Sequence, residues 1–135
     1  MKRRKFYQHK LWRDKAPDNM RRQDAVIHVT ILDDLEYNNQ LGKKLIEEAY
    51  EVHASKTDDE LLSELADVLE VFMALCDVQH ISFQSVEEKR KLKKIEHGGF
   101  DQRIYNSYVE IREDNPNIQY YIKRPLQYPQ ILKDL

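Results

Sequence analysis

Apolar residues recur with a helical period through the middle of this chain, and the positions between them carry most of its charge. Leu41, Leu45, Ala49 and Val52 share one stripe, and Asp33 with Glu36 forms a capping box ahead of them. The pattern predicts a helix from Asp34 to about Ala54. Thr57-Asp58-Asp59-Glu60 is a second box, and Leu61, Leu65, Val68, Leu69, Phe72, Leu75 and Cys76 carry a second helix to about Val78. The hinge Ser55-Lys56-Thr57 between them is too short for anything except an antiparallel hairpin. Ser85 with Glu88 opens a third, basic helix that ends at Gly98-Gly99, where glycine accepts the left-handed conformation.

Outside these helices the period is lost. Ala25 to Leu32 (AVIHVTIL) reads as one short strand or an extended arm, with no second strand to pair it in the first hundred residues. From Asp101 onward five tyrosines and three prolines predict extended or short-strand structure. The fold class is therefore all-α: a helical hairpin plus a third helix, with extended segments at both ends. We divide the chain into a domain over residues 1–104 with a basic N-terminal arm, and a Tyr/Pro-rich extension over 105–135. Phe72 and Phe100 are assigned to the core.

Composition narrows the classes of function. The 135 residues are 41% hydrophobic and 34% charged, with 3 Gly, 4 Pro and 1 Cys. A lone cysteine excludes a disulfide framework and multi-cysteine zinc sites, and Cys76 has no adjacent base to make it a nucleophile. No apolar run is long enough to span a bilayer, and the Met-Lys-Arg-Arg start lacks the apolar stretch of a signal peptide, so a cytoplasmic location is expected. The formal net charge of -2 conceals an asymmetry. Residues 1–15 carry seven basic side chains against Asp14 alone, whereas residues 33–70 carry twelve acids against Lys43, Lys44 and Lys56.

The acids fall where apolar residues belong. Glu48 projects about 20° from Leu41, inside the stripe of the first helix. On the second helix the stripe contains the direction of Glu64 and borders that of Asp67. Folding the hairpin about Lys56 sets Glu48 level with Glu64, and it offsets Glu51 from Glu64 and Glu48 from Asp67 by three residues, roughly 4.5 Å. Four carboxylates then converge within one turn. They cannot all stay ionised there without a cation. All-oxygen ligands favour a hard ion, Mg²⁺ first and Mn²⁺ second. A di-iron site needs Glu-x-x-His on two helices, but Tyr50 precedes His53 at that spacing and Asp77 precedes His80. The ordinary reading of a Glu-rich helix is a solvated face; two motifs at matched height on a short hairpin, both intruding into apolar stripes, argue for the metal.

EEAYE at 47–51 followed by ELAD at 64–67 resembles the all-α nucleoside triphosphate pyrophosphatases, the superfamily of MazG, the dimeric dUTPases and phosphoribosyl-ATP pyrophosphohydrolase. KLWRDKAPD at 10–18, ILDDLEY at 31–37, ELADVLEV at 64–71 and HGGFDQRI at 97–104 are similar to its MazG-related branch of house-cleaning pyrophosphatases. The resemblance covers roughly residues 9–104. It implies Mg²⁺-dependent hydrolysis between the α and β phosphates, giving a nucleoside monophosphate and pyrophosphate. It also implies Glu48, Glu51, Glu64 and Asp67 as metal ligands, with Glu47 as an outer or additional ligand. Glu47 and Glu51 are both candidates for taking the proton of the attacking water. Trp12 and Ala16 stand where the branch more often has aliphatic residues, and His97 stands in place of a basic one.

A triphosphate approaching so many acids needs cations to reverse the field. Lys44 lies one turn before Glu48; Lys10, Arg13 and Lys15 come from the N-terminal segment; Lys89, Arg90, Lys91, Lys93 and Lys94 come from the third helix. Arg13 is the first choice, because its planar fork grips phosphate at two points, and Arg103 beside the glycine pair is the second. Solvated lysines and arginines are the ordinary alternative. Trp12 either stacks on a base or packs as a lid over a helix.

Two other classes of function start from other features of the chain. The arm MKRRKFYQHK suits a nucleic-acid-binding tail, against the negative total charge and the absence of any recognised nucleic-acid motif. A helical interaction module that has lost activity would be expected to relax its acids to apolar residues, and they are intact. Three helices cannot surround a triphosphate, so a homo-oligomer is expected, a dimer or tetramer in which a partner completes a four-helix layer. The segment at 20–32 and the Tyr/Pro-rich tail are candidates for exchange between subunits.

Overall fold

The computed structural model describes residues 1–133, and all regular structure among them is helical. Five helices follow in order: α1 (Ala16–Arg22), α2 (Asp34–Ala54), α3 (Asp58–Val78), α4 (Phe83–His97) and α5 (Ile118–Ile122). The chain forms two units, Met1–His97 and Gly98–Leu135.

In the first unit α2 and α3 pack along one another as an antiparallel hairpin. Their starts follow from the two boxes. Asp33 Oδ1 accepts the Glu36 amide at 2.9 Å, and Thr57 Oγ1 accepts the Glu60 amide at 3.1 Å. Glu60 returns the interaction to the amide of Lys56, at 2.7 Å, which closes the hinge. At the far end Gln79 donates to Asn38 across the hairpin at 2.7 Å, fixing the register that sets the middles of the helices side by side.

The interface is thin. Among the described residues only Leu41, Val71 and Cys76 are buried apolar side chains, and Glu48 is the one buried charged residue. Ala49 is exposed, and Leu61, Leu65 and Leu69 are more than a third exposed. The buried face of α3 is thus turned from the expected leucine stripe toward Glu64, Asp67, Val68 and Val71.

Several elements correct the sequence expectation. Residues 20–22 are helical, not extended, because Pro17 opens α1 in its first turn, where its fixed φ suits a helix. Residues 25–32 have no regular secondary structure and form no strand. The third helix begins at Phe83, since Ser82 Oγ, not Ser85, accepts the first free amide, that of Ser85, at 3.0 Å. It ends at the glycine pair, where Gly98 takes φ +83, open to glycine at no steric cost. Phe72 is half-buried and meets Phe83 edge-to-face at 6.0 Å, but Phe100 is 97% exposed and is no core residue.

The second unit contains a short helix where extended chain was expected. Tyr120 and Tyr121 on α5 meet Tyr128 at ring distances of 5.7 and 5.0 Å, and Arg124 lies 4.1 Å over the Tyr120 ring. Contacts among tyrosines seven and eight residues apart override their strand preference.

Candidate metal centre

The register of the hairpin brings Glu48 of α2 against Glu64 and Asp67 of α3, and one oxygen from each lies within 4.8 Å of the others. This is the one such group among the described residues. Glu48 is 7% exposed; Glu64 and Asp67 are half-buried. Glu51, one turn beyond Glu48, is exposed and stands outside the group, although its charge is felt at Glu64. Three of the four expected carboxylates therefore converge. A small divalent ion holds opposite oxygen ligands about 4.2 Å apart. Three oxygens already this close fit such an ion with small side-chain adjustment.

Partial burial raises the pKa of Glu64 above the ordinary glutamate range, and the charges of Asp67, Glu48 and Glu51, with a hydrogen bond shared with Glu48, add to it. Three cations answer the acids. Lys44 Nζ lies 3.2 Å from Glu48 and 3.3 Å from Glu47. Lys10 Nζ reaches Glu47 at 3.2 Å, and Arg13 Nη2 meets Asp67 Oδ1 at 2.5 Å. Burial opposes the charge on Lys44, but its bonds to Glu48 and Glu47 outweigh that and hold its pKa above the usual lysine value. Burial likewise opposes ionisation of Glu47, and the bonds from Lys10 and Lys44 win there too, lowering its pKa.

Lys15 is exposed in the turn before α1, Trp12 is half-buried beside Arg13, and Arg103 belongs to the second unit, in a left-handed backbone conformation with φ 57. Glu70 was not singled out in the sequence, yet its charge acts on Arg13 beside that of Asp67. Its position one turn beyond Asp67 was the available signal.

Residues 29–94 match the family model described as phosphoribosyl-ATP pyrophosphohydrolase, in the MazG-like all-α NTP pyrophosphatase superfamily. The match runs over α2, α3 and most of α4, includes all five candidate carboxylates, and leaves Lys10 and Arg13 outside. The family is one of hydrolases acting on phosphoric anhydride bonds. No curated protein and no solved structure matches the chain. No helix among the described residues is long and apolar enough to cross a membrane.

Proposed function

We propose that the protein is a Mg²⁺-dependent nucleoside triphosphate pyrophosphohydrolase. Water adds at the α phosphorus and the α–β anhydride bond breaks, yielding a nucleoside monophosphate and pyrophosphate; removal of non-canonical nucleotides in the cytoplasm is the corresponding role. The observation that carries this reading is the meeting of Glu48, Glu64 and Asp67 oxygens within 4.8 Å, inside the segment that matches the family model.

Glu48, Glu64 and Asp67 would hold the ion, with Mn²⁺ as a substitute, and Glu51 would join by a side-chain turn. The ion supplies neutralisation of phosphate charge and stabilises the leaving pyrophosphate. Glu47 is a weak base, because Lys10 and Lys44 hold it ionised. Glu51, exposed one turn beyond Glu48, is the alternative acceptor for the proton of the attacking water where it does not bind the ion. Arg13, Lys10, Lys15 and Lys44 would address the phosphates, and Trp12 would take the base. The basic arm directs Lys10 and Arg13 to Glu47 and Asp67, which favours this reading over a nucleic-acid tail.

So few buried apolar side chains leave the hairpin short of a second layer. A second copy of the chain, in a dimer or tetramer, would supply it and complete a four-helix site. The pyrophosphatase domain is assigned to residues 1–104.

The test is a panel of nucleoside triphosphates and phosphoribosyl-ATP with Mg²⁺, scored for pyrophosphate against orthophosphate. Pyrophosphate release that is lost in Glu48→Gln, with circular dichroism unchanged, is the expected result. Orthophosphate release, or undiminished turnover in the variant, would overturn the assignment.

A further inference from the structure

We propose that Arg13 is an internal counter-ion, displaced from Asp67 by the arriving divalent ion and thereby released to grip a substrate phosphate. The inference rests on the metal-site reading above and goes beyond it, to how binding of the ion arms the phosphate-binding side.

Asp67 has two demands on it. Its oxygen belongs to the group shared with Glu48 and Glu64, and the same residue accepts the Arg13 bond through Oδ1. A guanidinium in that position and a divalent ion among the three carboxylates repel one another at close range, so the two occupants compete.

Of the three cations Arg13 is the one built to leave. Lys44 is fixed on α2, its side chain is 19% exposed, and it keeps Glu47 when Glu48 turns to a metal. Lys10 touches only Glu47, outside the group. Arg13 lies in non-helical chain just before the turn into α1, with its side chain 62% exposed, and it holds Asp67 through a single nitrogen. A fork bound at one tine on the rim of the site needs only a side-chain rotation to present both tines to a phosphate.

Trp12, the chain's one tryptophan, is half-buried next to Arg13 and reports any shift of this segment. The experiment is Mg²⁺ titration of the full chain without nucleotide, followed by calorimetry and by Trp12 emission, on wild type, Arg13→Gln and Glu48→Gln. In Arg13→Gln the affinity for Mg²⁺ rises about fivefold, the scale set by loss of one partly exposed ion pair, while KM for the triphosphate also rises. In wild type, Trp12 emission shifts with the calorimetric midpoint, and the shift is absent in Glu48→Gln. Mg²⁺ affinity unchanged or weaker in a folded Arg13→Gln, or Trp12 emission indifferent to bound Mg²⁺, overturns the displacement while leaving the metal site standing. Wild type that takes up no Mg²⁺ overturns both. If Arg13→Gln does not fold, the emission of wild type decides alone.

Discussion

Lys44 places its ammonium 3.2 Å from Oε1 of Glu48, one turn further along the same helix, with the two side chains only 19% and 10% exposed. No other ion pair among the described residues is so withdrawn from water. A carboxylate that buried is tolerated because the lysine accompanies it, and the same lysine reaches Glu47. Lys44→Met keeps the aliphatic stem and removes the charge. Without metal this variant is expected to lose about 2 kcal/mol of stability, the scale of leaving a buried charged group without its partner. Saturating Mg²⁺ should recover most of the loss, since a cation again answers Glu48. Thermal melts with EDTA and with Mg²⁺ check both halves; a loss that Mg²⁺ leaves untouched would make Lys44 a packing residue only.

Glu64 makes the fold pH-sensitive in a definite direction. Partial burial and the neighbouring charges of Asp67, Glu48 and Glu51 raise its pKa above the ordinary glutamate value, to which the unfolded chain returns it. The unfolded state therefore releases the proton first, and stability falls as pH rises from the ordinary glutamate range through the raised value. The penalty is complete above that raised pKa and absent below the ordinary one. Glu47 contributes oppositely: its pKa is lowered, so its contribution is present above the ordinary range and lost as pH falls through the depressed value. Glu64→Gln should accordingly melt higher than wild type at neutral pH in EDTA, with the gap closing through the first window. In saturating Mg²⁺ the order should reverse, because the variant lacks a ligand. Melts across pH in both conditions test the sign; a variant less stable than wild type in EDTA at neutral pH would contradict it.

The hairpin was legible because its signals are local. Asp33 and Thr57 mark the helix starts through amides three residues on, and the intrusion of Glu48 into an apolar stripe needs only the helical period. The same arithmetic admitted Glu51, because a stripe drawn on one helix does not say how far the partner helix covers it. α1 has no apolar stripe, and Pro17 was its one signal. Ser82 and Ser85 are equally good caps in isolation, and the backbone chose the earlier one. The cations were legible as residues and not as partners. Lys10 and Arg13 meet acids 37 and 54 positions away, a pairing no local pattern contains.

The outward face of α3 is apolar and exposed. Leu62, Leu65, Leu69 and Met73 follow one another at three- and four-residue spacing, so they form one stripe, and they are 69%, 48%, 50% and 46% exposed. Burying a leucine side chain fully is worth about 1.5–3 kcal/mol, and a hairpin with so little core needs that contribution from elsewhere. A second copy laid against this stripe supplies it and forms the four-helix layer of the proposed enzyme. Sedimentation should then give wild type a mass that is a multiple of the 16.3 kDa chain. The double substitution Leu65→Glu and Leu69→Glu puts like charges on each face of a two-fold contact and should reduce the mass to that of one chain, with pyrophosphate release lost at the same time. A wild type that sediments as a single chain, or a double variant that keeps its assembly, would show that this face is not where copies of the chain meet.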